Sequence, residues 1–148
     1  MKAKSSAHSH DPALTKGLAR RGLRSTPQRE HVYDVLLAKR DHPTAEQVFM
    51  RAKKQMPEIS MATVYNCLDA LVQCDLVRLV RLDKGPTRFC PNMTEHGHFH
   101  CDRCGRFFDV ELVAGTAFQM PVGFQVSSCD VSVRGLCADC LGGERGEL

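Results

Sequence analysis

Apolar residues recur along the first half of the chain at helical spacing and then switch to strand spacing. Leu14 to Arg21 reads as a short helix ended by Gly22, and Gln28 to Lys39 as a longer one with Val32, Val35 and Leu36 on one side. Ser25-Thr26-Pro27 supplies a cap followed by a proline whose fixed φ suits the first helical turn. Thr44, with Gln47 three residues on, is a capping-box signature; its helix buries Val48 and Phe49 and stops before Pro57. Ser60 caps a fourth helix, Met61 to Gln73, with Ala62, Tyr65, Leu68, Leu71 and Val72 at apolar spacing and Thr63, Asn66 and Asp69 outward. Leu76 to Leu82 then sets arginines among apolar residues, Asp83-Lys84-Gly85-Pro86 supplies a turn, and Thr87 to Cys90 returns as a β-hairpin. Short helices, the last followed directly by a basic hairpin, describe a winged helix-turn-helix. In that arrangement the last helix enters the major groove and the wing approaches the backbone.

Charge supports that reading. Residues 1–91 carry 16 Lys and Arg against 9 Asp and Glu, whereas residues 92–148 carry 4 against 8. A basic first half joined to an acidic second half suggests a nucleic-acid binder coupled to a sensor. Arg29, Arg78 and Arg81 are candidate phosphate contacts by charge alone. The stretch Met1 to Asp11 is poor in apolar residues and is expected to be disordered, its His8 and His10 being ordinary tail histidines. It has no apolar core of a secretory signal, and no run approaches the length of a membrane span, so a cytoplasmic location is expected.

The second half holds the chemistry. Two Cys-x-x-Cys pairs, Cys101/Cys104 and Cys137/Cys140, offer four thiolates for the tetrahedral shell that zinc prefers. A closed four-sulfur shell leaves no position for substrate, so this site is expected to be structural. A reducing compartment argues against disulfides, and thioredoxin-type chemistry needs only one pair. Just before the first pair, His96, His98 and His100 alternate, which places all three on one face of a strand. Their nitrogens are candidate ligands for a second, more accessible ion.

Four stretches resemble the ferric uptake regulator family: Gly22-Leu23-Arg24-Ser25-Thr26-Pro27-Gln28-Arg29, His42-Pro43-Thr44-Ala45-Glu46, Ala62-Thr63-Val64-Tyr65-Asn66-Cys67-Leu68, and His96-Gly97-His98-Phe99-His100-Cys101-Asp102-Arg103-Cys104-Gly105. Their order and spacing match along residues 14–141. The resemblance implies a homodimeric, metal-responsive DNA-binding regulator, a repressor, controlling metal homeostasis or peroxide-stress genes. The implied fold is α+β: a disordered tail 1–13, a winged-helix DNA-binding domain 14–91, a hinge 92–95, a small α/β metal-binding dimerisation domain 96–141 with a four-cysteine zinc, and a flexible tail 142–148.

Carried over by position, the structural zinc falls on Cys101, Cys104, Cys137 and Cys140, and the regulatory ion on His42, Cys90, His96, His98 and Asp109. Cys90 stands where iron- and peroxide-type members carry an acid. A thiolate there favours zinc over Fe(II) or Mn(II), so the second ion is open among these. Zinc-uptake members place a histidine or aspartate where this chain has Arg78, which cannot ligate. A further family site would fall on Glu95, Gly97, Thr116 and Cys129 and is expected to be lost. Resemblance assigns DNA contact to Tyr65, with Thr63 and Asn66 nearby and Arg24 ahead of the second helix; Tyr65 also suits a core aromatic by its spacing.

Two other classes fit parts of the pattern. A metal-dependent enzyme could use the His-x-His site, but no acid or base stands apart from the ligands. A zinc-stabilised protein-interaction module would keep the cysteines and lack DNA binding.

Overall fold

Asp11 opens the first helix, α1 (Pro12–Arg20): its carboxylate accepts from the Ala13 amide at 2.9 Å, and Pro12 occupies the first turn. The helix thus begins two residues earlier than the apolar pattern alone indicates, and it ends before Gly22, which turns the chain at φ +68°. The computed structural model describes residues 11–81, 85–113 and 118–144. The expectations for the leader with His8 and His10, for Leu82, Asp83 and Lys84 in the hairpin, for Thr116, and for residues 145–148 lie outside these.

Thr26 caps α2 (Pro27–Ala38) by accepting from the Arg29 amide, and Thr44 with Gln47 completes a reciprocal capping box on α3 (Ala45–Ala52). Ser60 caps α4 (Met61–Gln73) through the Thr63 amide. These helices enclose one apolar core whose fully buried members include Leu18, Leu36, Leu68 and Leu71. His31 enters that core satisfied, donating from Nε2 to the Ala52 carbonyl at 2.9 Å. α1 closes one side so tightly that a Cβ on Gly17 would stand 2.9 Å from Leu76 Cδ1. The core face of α4 differs from the expected one. It runs through Val64, Cys67, Leu68 and Leu71, while Ala62 and Tyr65 are exposed. The two faces compete in the sequence, and the one that packs against α2 and α3 prevails.

The wing is short: β1 (Arg78–Val80) pairs antiparallel with β2 (Arg88–Cys90), Arg78 opposite Cys90. This first compact unit spans Met1–Met93, and a second spans Thr94–Leu148. The second is a three-stranded sheet with β3 (His96–Cys101) in the centre. β4 (Phe107–Glu111) pairs antiparallel on one edge, and β5 (Ser132–Gly135) pairs parallel on the other. A short helix, α5 (Ala138–Glu144), follows.

Candidate metal centres and nucleic-acid face

The four cysteines meet because β3 and β5 end at the same level, Cys101 opposite Gly135. Beyond Cys101 the chain turns at Gly105, φ +73°, and Cys101 exchanges backbone bonds with Gly105 and Arg106, which swings Cys104 back toward it. Beyond Gly135, Cys137 precedes α5 and Cys140 lies three residues on, on the same side. All four sulfurs lie within 4.8 Å of one another, with Cys101–Cys140 at 3.7 Å and Cys104–Cys137 at 3.8 Å. Zinc–thiolate bonds of about 2.3 Å in a tetrahedron put the sulfurs about 3.8 Å apart, so the arrangement fits the ion. These separations are far from the roughly 2.05 Å of a disulfide.

The thiols are already biased unequally. The Cys104 backbone N–H, helped by that of Cys137, brings Cys101 down to about 5. Arg106 lowers Cys104, whereas burial pushes Cys140 up to about 12. Clustered thiols cannot all ionise side by side unaided, which is the electrostatic reason this set suits a divalent cation.

On β3, His96 and His98 converge as alternation predicts, Nε2 to Nε2 at 3.0 Å with rings edge to face. Asp109 sits opposite His98 in the β3–β4 register, and its Oδ1 lies 3.4 Å from His96 Nε2 and 3.6 Å from His98 Nε2. The Thr94 carbonyl takes His96 Nδ1–H at 2.6 Å, which leaves Nε2 with its lone pair for a metal. His100 turns away from this group. Its ring packs on Phe107, centroids 4.7 Å apart, and Nδ1 lies 3.9 Å from Asp102.

The other two expected ligands belong to the first unit and are brought together there. His42 holds a left-handed backbone, φ +55°, an uncommon state for a residue with a side chain. Arg88 Nη1 donates to the His42 carbonyl at 3.1 Å, and the Phe89 amide donates to the Pro43 carbonyl at 3.0 Å. The segment before α3 is thereby fastened to the wing strand that ends at Cys90. A His42 ring nitrogen and the Cys90 sulfur lie within 4.8 Å, both residues being buried. Of the positions expected for the further family site, Gly97 is tightly packed, a Cβ there standing 3.1 Å from the Val131 carbonyl oxygen, and Glu95 and Cys129 are exposed.

Among the candidate DNA contacts, Tyr65 is 43% exposed on α4, its hydroxyl 3.4 Å from Glu46 Oε1, and Asn66 is exposed beside it. Thr63 is half-buried at the cap, its hydroxyl 2.8 Å from that of Ser60. Two of the arginines are engaged with the fold. Arg29 Nη1 donates to the Arg24 carbonyl at 2.7 Å, and Arg78 Nη2 to the Met93 carbonyl at 3.2 Å. Arg24 and Arg81 are exposed. Charge counting could not separate these pairs, because the partners are backbone carbonyls. Arg106, against the cysteine cluster, had no signal in the sequence beyond its charge.

A core of four capped helices with a two-stranded wing, followed by a sheet carrying a thiol cluster and a histidine–carboxylate group, defines a winged-helix protein with metal-binding chemistry. A sequence profile of the ferric uptake regulator family matches residues 20–133. The chain is 31% identical over 143 residues to the peroxide-responsive repressor PerR of Staphylococcus saprophyticus, covering 90% of this chain and 92% of that one. Its fold resembles that of the Campylobacter jejuni peroxide stress regulator, with a TM-score of 0.63 and 26% identity over 86% of this chain and 98% of that one. It also resembles that of the Helicobacter pylori ferric uptake regulator Fur, with a TM-score of 0.66 and 21% identity over 85% of this chain and 87% of that one. The chain belongs to the ferric uptake regulator family, whose members are metal-dependent transcriptional regulators. Among the described residues, no helix is long and apolar enough to cross a membrane.

Proposed function

We propose that this protein is a cytoplasmic, homodimeric, metal-dependent repressor that binds operator DNA through α4 and the wing and controls peroxide-stress or metal-homeostasis genes. The observation that carries the reading is the His96–His98–Asp109 group, in which three donors converge and the Thr94 carbonyl already fixes the His96 tautomer. A structural zinc belongs on Cys101, Cys104, Cys137 and Cys140, and an exchangeable divalent ion on His96, His98 and Asp109 with His42 and Cys90 as ligands from the first unit. In functional terms the domains divide as 14–91 for DNA and 96–141 for metal and dimerisation, joined by a hinge at 92–95.

Held by His96, His98 and Asp109 together with His42 and Cys90, a divalent ion would supply the coordinate bonds that link metal loading to DNA binding. The residues of the chain do the rest: Arg88 and the Phe89 amide hold His42 beside Cys90, and Thr94 orients His96. Moving a two-state equilibrium from 1:99 to 99:1 takes about 5.5 kcal/mol of differential affinity, a scale that a few ligand bonds made in only one state can reach. Peroxide-responsive relatives support a peroxide or iron role, while the buried Cys90 beside His42 favours zinc as the sensed ion.

Elemental analysis before and after mild chelation, paired with DNA binding in titrated Zn(II), Fe(II) and Mn(II), tests the reading. The expected result is one retained zinc per chain and one exchangeable ion that restores salt-sensitive operator binding. Cys90→Ser should weaken the second site and abolish its thiolate–cobalt charge-transfer band while the four-cysteine zinc stays. Metal-independent DNA binding, or turnover of a hydrolysable substrate, would overturn the proposal.

A further inference from the structure

Two arginines edge the sulfur cluster: Arg103 Nη1 donates to the Cys140 carbonyl at 3.1 Å, and Arg106 reaches the sulfurs themselves. Arg106 precedes β4 and sends Nε to Cys104 Sγ at 3.3 Å and Nη2 to Cys137 Sγ at 3.6 Å. The same Nη2 donates to Asp139 Oδ2 at 2.7 Å, and the guanidinium carbon lies 5.3 Å from the centre of the Phe108 ring. One planar fork therefore touches a cysteine from each Cys-x-x-Cys pair, held in place by a carboxylate and an aromatic face. Lysine has no such geometry: it is a point charge on a flexible stem.

We propose that Arg106 is a positioning residue that protects the zinc-bound thiolates from electrophiles, hydroperoxide in particular. The inference rests on the four-cysteine zinc reading above. Four thiolates around a dication leave net negative charge on sulfur, and that charge makes the sulfurs nucleophilic. Donation of an N–H to a thiolate draws on the same lone pair that would attack. In the attack itself, sulfur bonds to one peroxide oxygen as the O–O bond breaks. Hydroxide leaves, sulfur is oxidised to the sulfenic acid and the peroxide is reduced. A sulfenic acid is a poor ligand, so each such event loosens the ion. Arg106 bonds Cys104, which is exposed, and Cys137, which is buried, and its own side chain is 51% exposed. Cys101 is buried and takes its hydrogen bond from the Cys137 backbone N–H at 3.4 Å. A regulator protected in this way loses structural zinc slowly while its exchangeable site answers the signal.

The test follows zinc release with a metallochromic dye from zinc-loaded wild type, Arg106→Ala and Arg106→Lys, under hydrogen peroxide, under N-ethylmaleimide, and with chelator alone. Arg106→Ala should release zinc roughly threefold to tenfold faster under both electrophiles, the scale of a charge-assisted hydrogen bond at a half-exposed position. Arg106→Lys should fall between, and release to chelator alone should change less than either electrophile rate. In cobalt-substituted protein, Arg106→Ala should also shift the thiolate-to-metal charge-transfer band, which a purely structural role would leave in place. Should the alanine variant purify without zinc, the lysine variant is compared with wild type directly. Electrophile rates equal to wild type in either variant overturn the role of Arg106. A wild type that purifies without zinc overturns the metal reading on which it stands.

Discussion

The two units of this chain are built on opposite economies of apolar surface. In the first, four capped helices bury leucines and valines completely, and among the described residues few large apolar side chains stay outside, Tyr65 on α4 being one of them. In the second, the buried apolar residues among those described are Cys101, Phe107 and Cys137, two of them metal-ligand candidates. Phe118, Met120, Val122, Phe124 and Val126 are all exposed there, as is Val133 on β5. A sheet of three strands with so thin a core does not bury enough surface to stand alone. On the proposed reading its stability comes from zinc and from the dimer, which ties the fold of the sensor half to its chemistry.

Breaking the cysteine cluster should therefore have the largest effect. Cys101→Ser or Cys137→Ser is expected to lose the zinc and the dimer together, because metal-binding free energy is folding free energy in such a unit. Both tyrosines, Tyr33 and Tyr65, lie in the first unit and the chain has no tryptophan, so tyrosine fluorescence reports that unit alone. It should stay folded while elemental analysis shows no zinc and size-exclusion chromatography shows monomer. A dimeric Cys101→Ser protein with full zinc content would refute the asymmetry.

The complementary change is made in the helical core. Leu68 is fully buried on α4, and Leu68→Ala should cost about 2–5 kcal/mol of first-unit stability through lost burial and the cavity left behind. Urea titration followed by tyrosine fluorescence measures it. Zinc content should not change; a joint loss would mean the two units do not fold separately.

Tyr65→Ala comes next, directed at function. The ring is substantially exposed and contributes little to the core, so stability should move by less than about 0.5 kcal/mol. Operator affinity should fall by about 1–3 kcal/mol, and affinity for random DNA by less, if the residue reads bases. Equal losses on the two DNAs would reduce Tyr65 to a backbone contact.

Sequence legibility divided along the same line. Caps at Thr26, Thr44 and Ser60 and the four cysteines are local or regularly spaced signals, and the chain shows each where spacing puts it. His96 and His98 follow from strand alternation, but the same rule does not distinguish His100, whose ring is captured by Phe107 from the neighbouring strand. Tyr65 was ambiguous because its helix offers two apolar stripes, and only packing against α2 and α3 selects between them. Arg29, Arg78, Arg88 and Arg106 are indistinguishable as charges. What each does is decided by a carbonyl or a sulfur brought close by the fold, between 5 and 46 residues away for the carbonyl contacts. The thin core of the second unit was not visible either, since its apolar residues are as frequent as elsewhere and only their exposure sets them apart.

The smallest expected effect concerns the ion pair beside His42. Arg51 reaches back from α3 to Asp41 with both terminal nitrogens, at 2.8 and 2.7 Å, and so anchors the residue just before the left-handed His42. The Arg51 hydrogen bonds hold the Asp41 carboxyl below its usual 3.8, against an opposing push from partial burial. A carboxyl lowered in the folded state adds stability that is fully present above its unfolded value and lost as pH falls through the folded one. The gain therefore exists at neutral pH and fades below pH 4 or so, a window set by the 3.8 reference and the downward shift. Asp41 is 37% exposed and Arg51 24%, so water and salt screen the pair and limit its worth to about 0.5–1 kcal/mol. Asp41→Asn should lower the urea midpoint of the tyrosine signal slightly at pH 7, by less in high salt, and converge on wild type as the medium is acidified below pH 4. A gap that persists unchanged in acid would show that Asp41 acts through shape at the His42 loop and not through its charge.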